Sequence, residues 1–189
     1  MDGSGNASAS FTGMSAGDLA LIFVIEGSTT PPSGWSLVQS STAGTPGTYA
    51  TATFAKVLSS GDISTGHVTL TGGGTGGAIC IAAWRGPATA VQASAATGGN
   101  GGTSLSIPGF PRNHSARAVV TYVLDAATAS PTAPTGATGR ATYGSGVSIG
   151  VADFLPPTAY HSNTALVWTG LASLAGPSFG YQGGAIQLF

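Results

Sequence analysis

Clusters of Gly, Pro, Ser and Thr cut this chain into short runs, and no run keeps a sustained 3.6-residue apolar period. The runs are rich in Val, Ile, Thr, Tyr and Phe, whereas the good helix formers Glu, Lys and Gln are scarce. This is the grammar of strands and turns. Strands are expected near Leu19–Glu26, Ser36–Gln39, Thr48–Leu58, His67–Thr71, Ala78–Arg85, Ser104–Ile107, Ala116–Asp125, Arg140–Tyr143, Val147–Phe154, Thr164–Trp168 and Gln182–Phe189. So many short strands with regular turns imply a sandwich or barrel. The expected fold class is all-β, a jelly-roll-like β-sandwich. It is expected to form one domain over residues 1–189, with residues 1–10 as an N-terminal arm.

Some runs are more apolar than a two-sheet sandwich explains. Leu19–Ile25 and Ala78–Trp84 are apolar on both faces, and Ala118–Leu124 nearly so. The outer face of a sandwich normally meets water, and its strands then alternate. A strand apolar on both faces needs a second cover, which is either a loop or a neighbouring subunit, because large apolar patches mark contacts. Leu21, Phe23, Ile25 and Tyr122 are therefore candidate interface positions. The expected partner is a further copy of the chain, for example in a trimer.

The chain also repeats itself. Gly76-Gly77-Ala78-Ile79 recurs as Gly183-Gly184-Ala185-Ile186, and Leu19–Glu26 corresponds to Ala118–Asp125, each an apolar strand ending in an acid. Pro/Gly turns follow at Pro31-Pro32-Ser33-Gly34 and Pro134-Thr135-Gly136, then strands carrying Phe54 and Phe154, then His67–Thr71 and Ala165–Thr169. The period of about 100 residues is too long for a solenoid. It suggests two halves of four to five strands, about residues 11–96 and 104–189, linked through Thr97–Thr103.

Composition narrows the function. Charged residues make up 6% of the chain, against about a quarter in ordinary soluble domains. Such a surface is solvated by hydroxyls and backbone, as in a protein built into an assembly or exposed outside a cell. The formal net charge is −1, and Lys56, Arg85, Arg112, Arg117 and Arg140 are scattered, which argues against nucleic acid as a partner. Cys80 is the single cysteine, so no internal disulfide is expected, and it is read as a buried thiol. Met1–Asn6 lacks the basic and apolar regions of a signal peptide. Leu19–Ile25 is too short to span a bilayer as a helix, so no membrane is expected. A virion component released by lysis fits this combination, as does a protein exported by a route without a cleavable signal.

Several motifs invite a chemical reading. Gly72–Gly77 contains G-x-G-x-x-G, but a strand follows it rather than the helix that phosphate binding requires. Gly146-Val147-Ser148-Ile149-Gly150 matches G-x-S-x-G, yet lies within a strand rather than at a strand-to-helix elbow. His67, His114 and His161 have no partners at metal-ligand spacing. Glu26 and Asp125 occupy matching strand ends and are read as solvated sheet edges, not as a glycosidase pair. No catalytic residue, cofactor site or metal site is expected, and the chain is read as non-enzymatic. Trp35, Trp84 and Trp168 suit either core packing or stacking on a sugar ring. Core packing is the simpler reading, and Trp35, at a turn exit, is the candidate for ligand contact.

Gly17-Asp18-Leu19-Ala20-Leu21-Ile22-Phe23-Val24, followed by Pro31-Pro32-Ser33-Gly34-Trp35-Ser36-Leu37-Val38, forms a recognisable pattern with Phe54-Ala55-Lys56-Val57 and Ile81-Ala82-Ala83-Trp84-Arg85-Gly86. The pattern resembles a β-sandwich module of bacteriophage structural proteins and bacterial surface proteins. The resemblance extends over nearly the whole chain after about residue 10. It departs at Pro134-Thr135-Gly136-Ala137-Thr138, where the second half lacks the Trp. It implies a virion protein: a capsid decoration (cement) protein or a small head- or tail-fibre component, bound to other virion proteins. A receptor- or glycan-binding module on a fibre or bacterial surface is the alternative. The resemblance implies no catalytic residues.

Overall fold

A computed structural model describes residues 6–25, 30–43, 49–71, 77–86, 91–99, 102–172 and 180–189. Its elements are β1 (Ala7–Ser10), β2 (Leu19–Ile25), β3 (Ser36–Ala43), β4 (Tyr49–Val57), α1 (Ser60–Thr65), β5 (His67–Leu70), β6 (Ala78–Trp84) and β7 (Val91–Gly99), then β8 (Ser104–Ile107), β9 (Ala118–Asp125), β10 (Thr138–Ser145), β11 (Val147–Phe154), β12 (Leu166–Thr169) and β13 (Tyr181–Leu188). A short 3-10 turn occupies Pro157–Ala159. The chain is all-β, and each strand expected from the sequence is present. β1 and β7 are additional. The linker expected at Thr97–Thr103 is in part strand, since β7 runs through Gly99; residues 100 and 101 lie outside the described residues.

The strands form four sheets. One has the order β3-β4-β2-β6, a second β10-β11-β9-β13-β7, and two ribbons pair β1 with β5 and β8 with β12. A jelly roll draws consecutive strands alternately into two sheets. Here the four-stranded sheet takes its strands from residues up to Trp84, and the five-stranded sheet takes its own from Val91 onward.

Side-chain alternation stacks these sheets. From β2, Leu19, Leu21, Phe23 and Ile25 point into a core shared with Val120, Tyr122 and Leu124 of β9, Ile149 of β11 and Ile186 of β13. The opposite face of β2, Ala20, Ile22 and Val24, packs under the β1–β5 ribbon with Phe11, Val68 and Leu70. The opposite face of β9, Val119 and Val123, packs under the β8–β12 ribbon with Leu105, Ile107, Leu166 and Trp168. The result is four layers: ribbon, sheet, sheet, ribbon. The central strands β2 and β9 are buried on both faces, which is why they read as continuous apolar runs.

The connection from β4 to β5 holds α1, the one α-helix among the described residues. Ser59 caps it: its Oγ accepts from the Asp62 backbone N–H at 3.2 Å, and Asp62 Oδ2 accepts from the Ser59 N–H at 2.8 Å. Lys56 Nζ lies 2.6 Å from Asp62 Oδ1. Burial pushes the Asp62 carboxyl up, but hydrogen bonds from Lys56 and Ser59 outweigh it and hold the group at about 2, below its ordinary 3.8. A depressed folded-state value stabilises the fold above the ordinary value, and that contribution is lost as pH falls toward the folded one. Asp62→Asn should therefore lower the melting midpoint at neutral pH. The gap from the parent chain should close as the pH is lowered from 4 toward about 2, as read from melting curves across that window.

Candidate functional site

The positions singled out as interface candidates are interior. Leu21, Phe23 and Ile25 have no exposed surface, and Tyr122 and Trp35 are buried as well. Leu21, Phe23, Ile25 and Tyr122 sit between the two large sheets, and Trp35 lies under the β1–β5 ribbon. The second cover that the apolar strands demand is thus supplied by the chain's own ribbons. These five side chains offer no surface to a partner or a sugar. Trp84 and Trp168 are also buried.

Tyr122 makes a cross-sheet contact. Its hydroxyl donates to Gln39 Oε1 at 2.7 Å, and its ring packs 5.0 Å from Phe23 at 44°. Burial pushes the phenol up to about 12, with a smaller opposing pull from Thr53, so it stays a neutral donor. Gly184 makes room for this bond: a Cβ there would lie 2.6 Å from Tyr122 Oη and 2.8 Å from Gln39 Oε1.

The G-x-S-x-G string is structural. Gly146, at φ 79°, turns the chain between β10 and β11. Ser148 is fully buried; its Oγ accepts from the Ala129 N–H at 2.6 Å and donates to the Ala127 carbonyl at 2.8 Å, which pins the loop after β9. Gly150 leaves room for the Trp168 ring. His67, His114 and His161 are exposed. Asp125 is buried rather than a solvated edge. Burial pushes its carboxyl up, against the pull of the Ala172 and Ala127 backbone N–H groups. Its expected counterpart, Glu26, and Gly72–Gly76 of the glycine-rich string lie outside the described residues. No group of three or more His, Cys, Asp or Glu side chains occurs among the described residues. Cys80 is buried, and burial pushes its thiol up to about 11, as an inert core thiol requires.

Sequence reasoning missed a buried acid that pairs with an arginine in its own sheet and accepts a hydrogen bond from the other sheet. Asp153 on β11 has no exposed surface. Its Oδ2 accepts from Trp84 Nε1 on β6 at 2.5 Å and from Arg140 Nε at 2.8 Å, while Arg140 Nη2 lies 2.8 Å from Oδ1. The β10–β11 register skips Arg140, pairing Gly139 with Ala152 and Ala141 with Val151. That bulge re-aims the Arg140 side chain at the acid. A lone Arg in a strand of small residues was the available sequence signal.

The feature best suited to receive a partner is a cleft of about 470 Å³ between the layers. Asn6, Ala7 and Ser8 line it from the start of the chain, Thr69 from β5, Ala78 and Ile79 from β6, and Tyr143 from β10. Its walls are hydroxyls, backbone, small apolar groups and one phenol, and none of the lining residues is charged. Tyr143 is exposed. No family model, no curated protein and no solved structure matches this chain.

Proposed function

We propose that this chain is an internally duplicated, non-catalytic structural module of a bacteriophage virion. It would act as a capsid decoration or cement subunit, or as a small head- or tail-fibre component, through contacts with neighbouring subunits. The duplication is supported by strand order. The sheet β3-β4-β2-β6 has its counterpart in β10-β11-β9-β13, and the ribbon β1–β5 in β8–β12. The helix α1 has its counterpart in the 3-10 turn at Pro157–Ala159. The edge strands bulge at the same place, at Val38 in β3 and at Arg140 in β10. On this reading Ala7–Ser10 belongs to the first unit rather than to an arm.

The observation that carries the virion reading is where the strings behind the resemblance fall. They are β2, β3 with its Pro-Gly turn, β4 and β6, which together make up one whole sheet. The sparsely charged composition supports a role inside an assembly. Because the ribbons cover the central strands of both large sheets, contacts with neighbours fall on loops, outer ribbon faces and the exposed edge strands, and edges pair with extended segments through main-chain hydrogen bonds. The test is quantitative composition of purified particles. Many copies per particle place the chain on the capsid and a few place it on the tail; absence from particles overturns the reading.

A second reading, binding of a neutral glycan, is favoured by the exposed Tyr143 among hydroxyl and amide groups. Saturable quenching of tyrosine emission by a surface polysaccharide is the result that would support it.

A further inference from the structure

The two halves differ by one strand. In the five-stranded sheet, β13 pairs on its outer side with β7, from Tyr181↔Gly99 through Leu188↔Val91. The counterpart of β13 is β6, and β6 is the last strand of its sheet among the described residues. The place beside β6 that corresponds to β7 is the cleft. Its walls come from β1, β5, β6 and β10. These are the counterparts of β8, β12, β13 and β3, the elements around and opposite β7. On the β7 side the surface around Gln39, Tyr122 and Gln182 encloses no comparable space, and a smaller cavity of about 280 Å³ lies between Val91 of β7 and Ser36, Ala55 and Lys56 of the other sheet.

We propose that this cleft is an acceptor groove for one β-strand supplied by a neighbouring polypeptide chain. The strand's chemistry can be read from β7, Val-Gln-Ala-Ser-Ala-Ala-Thr-Gly-Gly, which is uncharged and made mostly of small residues. Small residues suit close pairing with the neighbouring strand: at Gly98 a Cβ would lie 2.7 Å from Gln182 Oε1 and 3.2 Å from the Tyr181 carbonyl oxygen, both on β13. The lining of the groove is equally uncharged, so main-chain hydrogen bonds to β6 hold the strand and Tyr143 closes over it. The proposal rests on the correspondence between the halves and not on a place in a virion, so the particle measurement and the experiment below fail independently.

The test uses the full chain. A free peptide with the sequence of residues 91–99 is added in excess, and amide hydrogen exchange is followed along β6. In parallel, a variant carries the sequence of residues 91–103 fused directly ahead of Ala7, so that the strand is tethered at high effective concentration. A control fusion has Pro at alternate strand positions, which removes ladder donors. Both free peptide and tethered strand are expected to slow exchange in β6 by about tenfold or more, and the Pro control is expected to leave it unchanged. Unchanged β6 exchange with the tethered strand overturns the groove. Protection by the tethered strand but not by free peptide overturns its assignment to another chain. Protection by neutral oligosaccharide alone overturns the proposal in favour of a sugar site.

Discussion

Arg140→Val should destabilise the chain by roughly 3 kcal/mol, because it leaves the fully buried Asp153 carboxylate with the Trp84 indole as its main remaining donor. At roughly 2–4 °C per kcal/mol for a chain of this size, the midpoint should fall by about 10 °C. On the proposed correspondence of the halves, the other half holds the replacement set. By strand register, the counterparts of Arg140, Asp153 and Trp84 are Val38, Ala55 and Leu188. Ala55 and Leu188 belong to the same core, and Val38 packs against it. The triple variant Trp84→Leu, Arg140→Val, Asp153→Ala should therefore recover most of what the single change loses, since removing a buried pair whole is far milder than removing one member. Urea melts of the parent, the single and the triple variant decide this. A triple variant no more stable than the single one counts against the correspondence of the halves.

Gly150→Ala is the second large effect expected. A Cβ at this β11 position would lie 2.7 Å from the Trp168 ring and 2.9 Å from the Pro131 side chain. The Trp168 ring cannot yield freely: it is buried and its Nε1 donates to Thr121 Oγ1 at 3.0 Å. Overpacking of this kind costs about 1–3 kcal/mol. It should also perturb the near-ultraviolet signal of the indole. Gly139→Ala is the matched control, since nothing lies within 4 Å of a Cβ there. Equal melting of the two variants would remove the packing explanation for the last glycine of the G-x-S-x-G string.

Strand positions were legible because Gly and Pro punctuate the chain and Val, Ile and Phe fill the gaps. β1 and β7 escaped because Ala, Ser and Gly carry little strand signal; pairing, not propensity, fixes them. The apolar faces of β2 and β9 correctly announced a second cover. They could not say whose, since the covering ribbons are short alternating segments such as Ser104–Ile107, which read alike whether they face the chain's own core or a neighbour. Trp35 looked exposed at its turn for the same reason. The cleft has no sequence motif at all, because an unfilled strand position exists only once the sheet order is known.

The Trp84–Asp153 bond also bears on how the two stacked sheets choose their partners. On the proposed correspondence of the halves, a half of one molecule has the shape to stack on the same half of another in an isologous dimer. Such a partner would set Trp84 against Ala55 in one case and Leu188 against Asp153 in the other. The first leaves an indole N–H without its acceptor, and the second buries an acid without its indole. This polar contact at the seam thus makes each sheet prefer the other to a copy of itself.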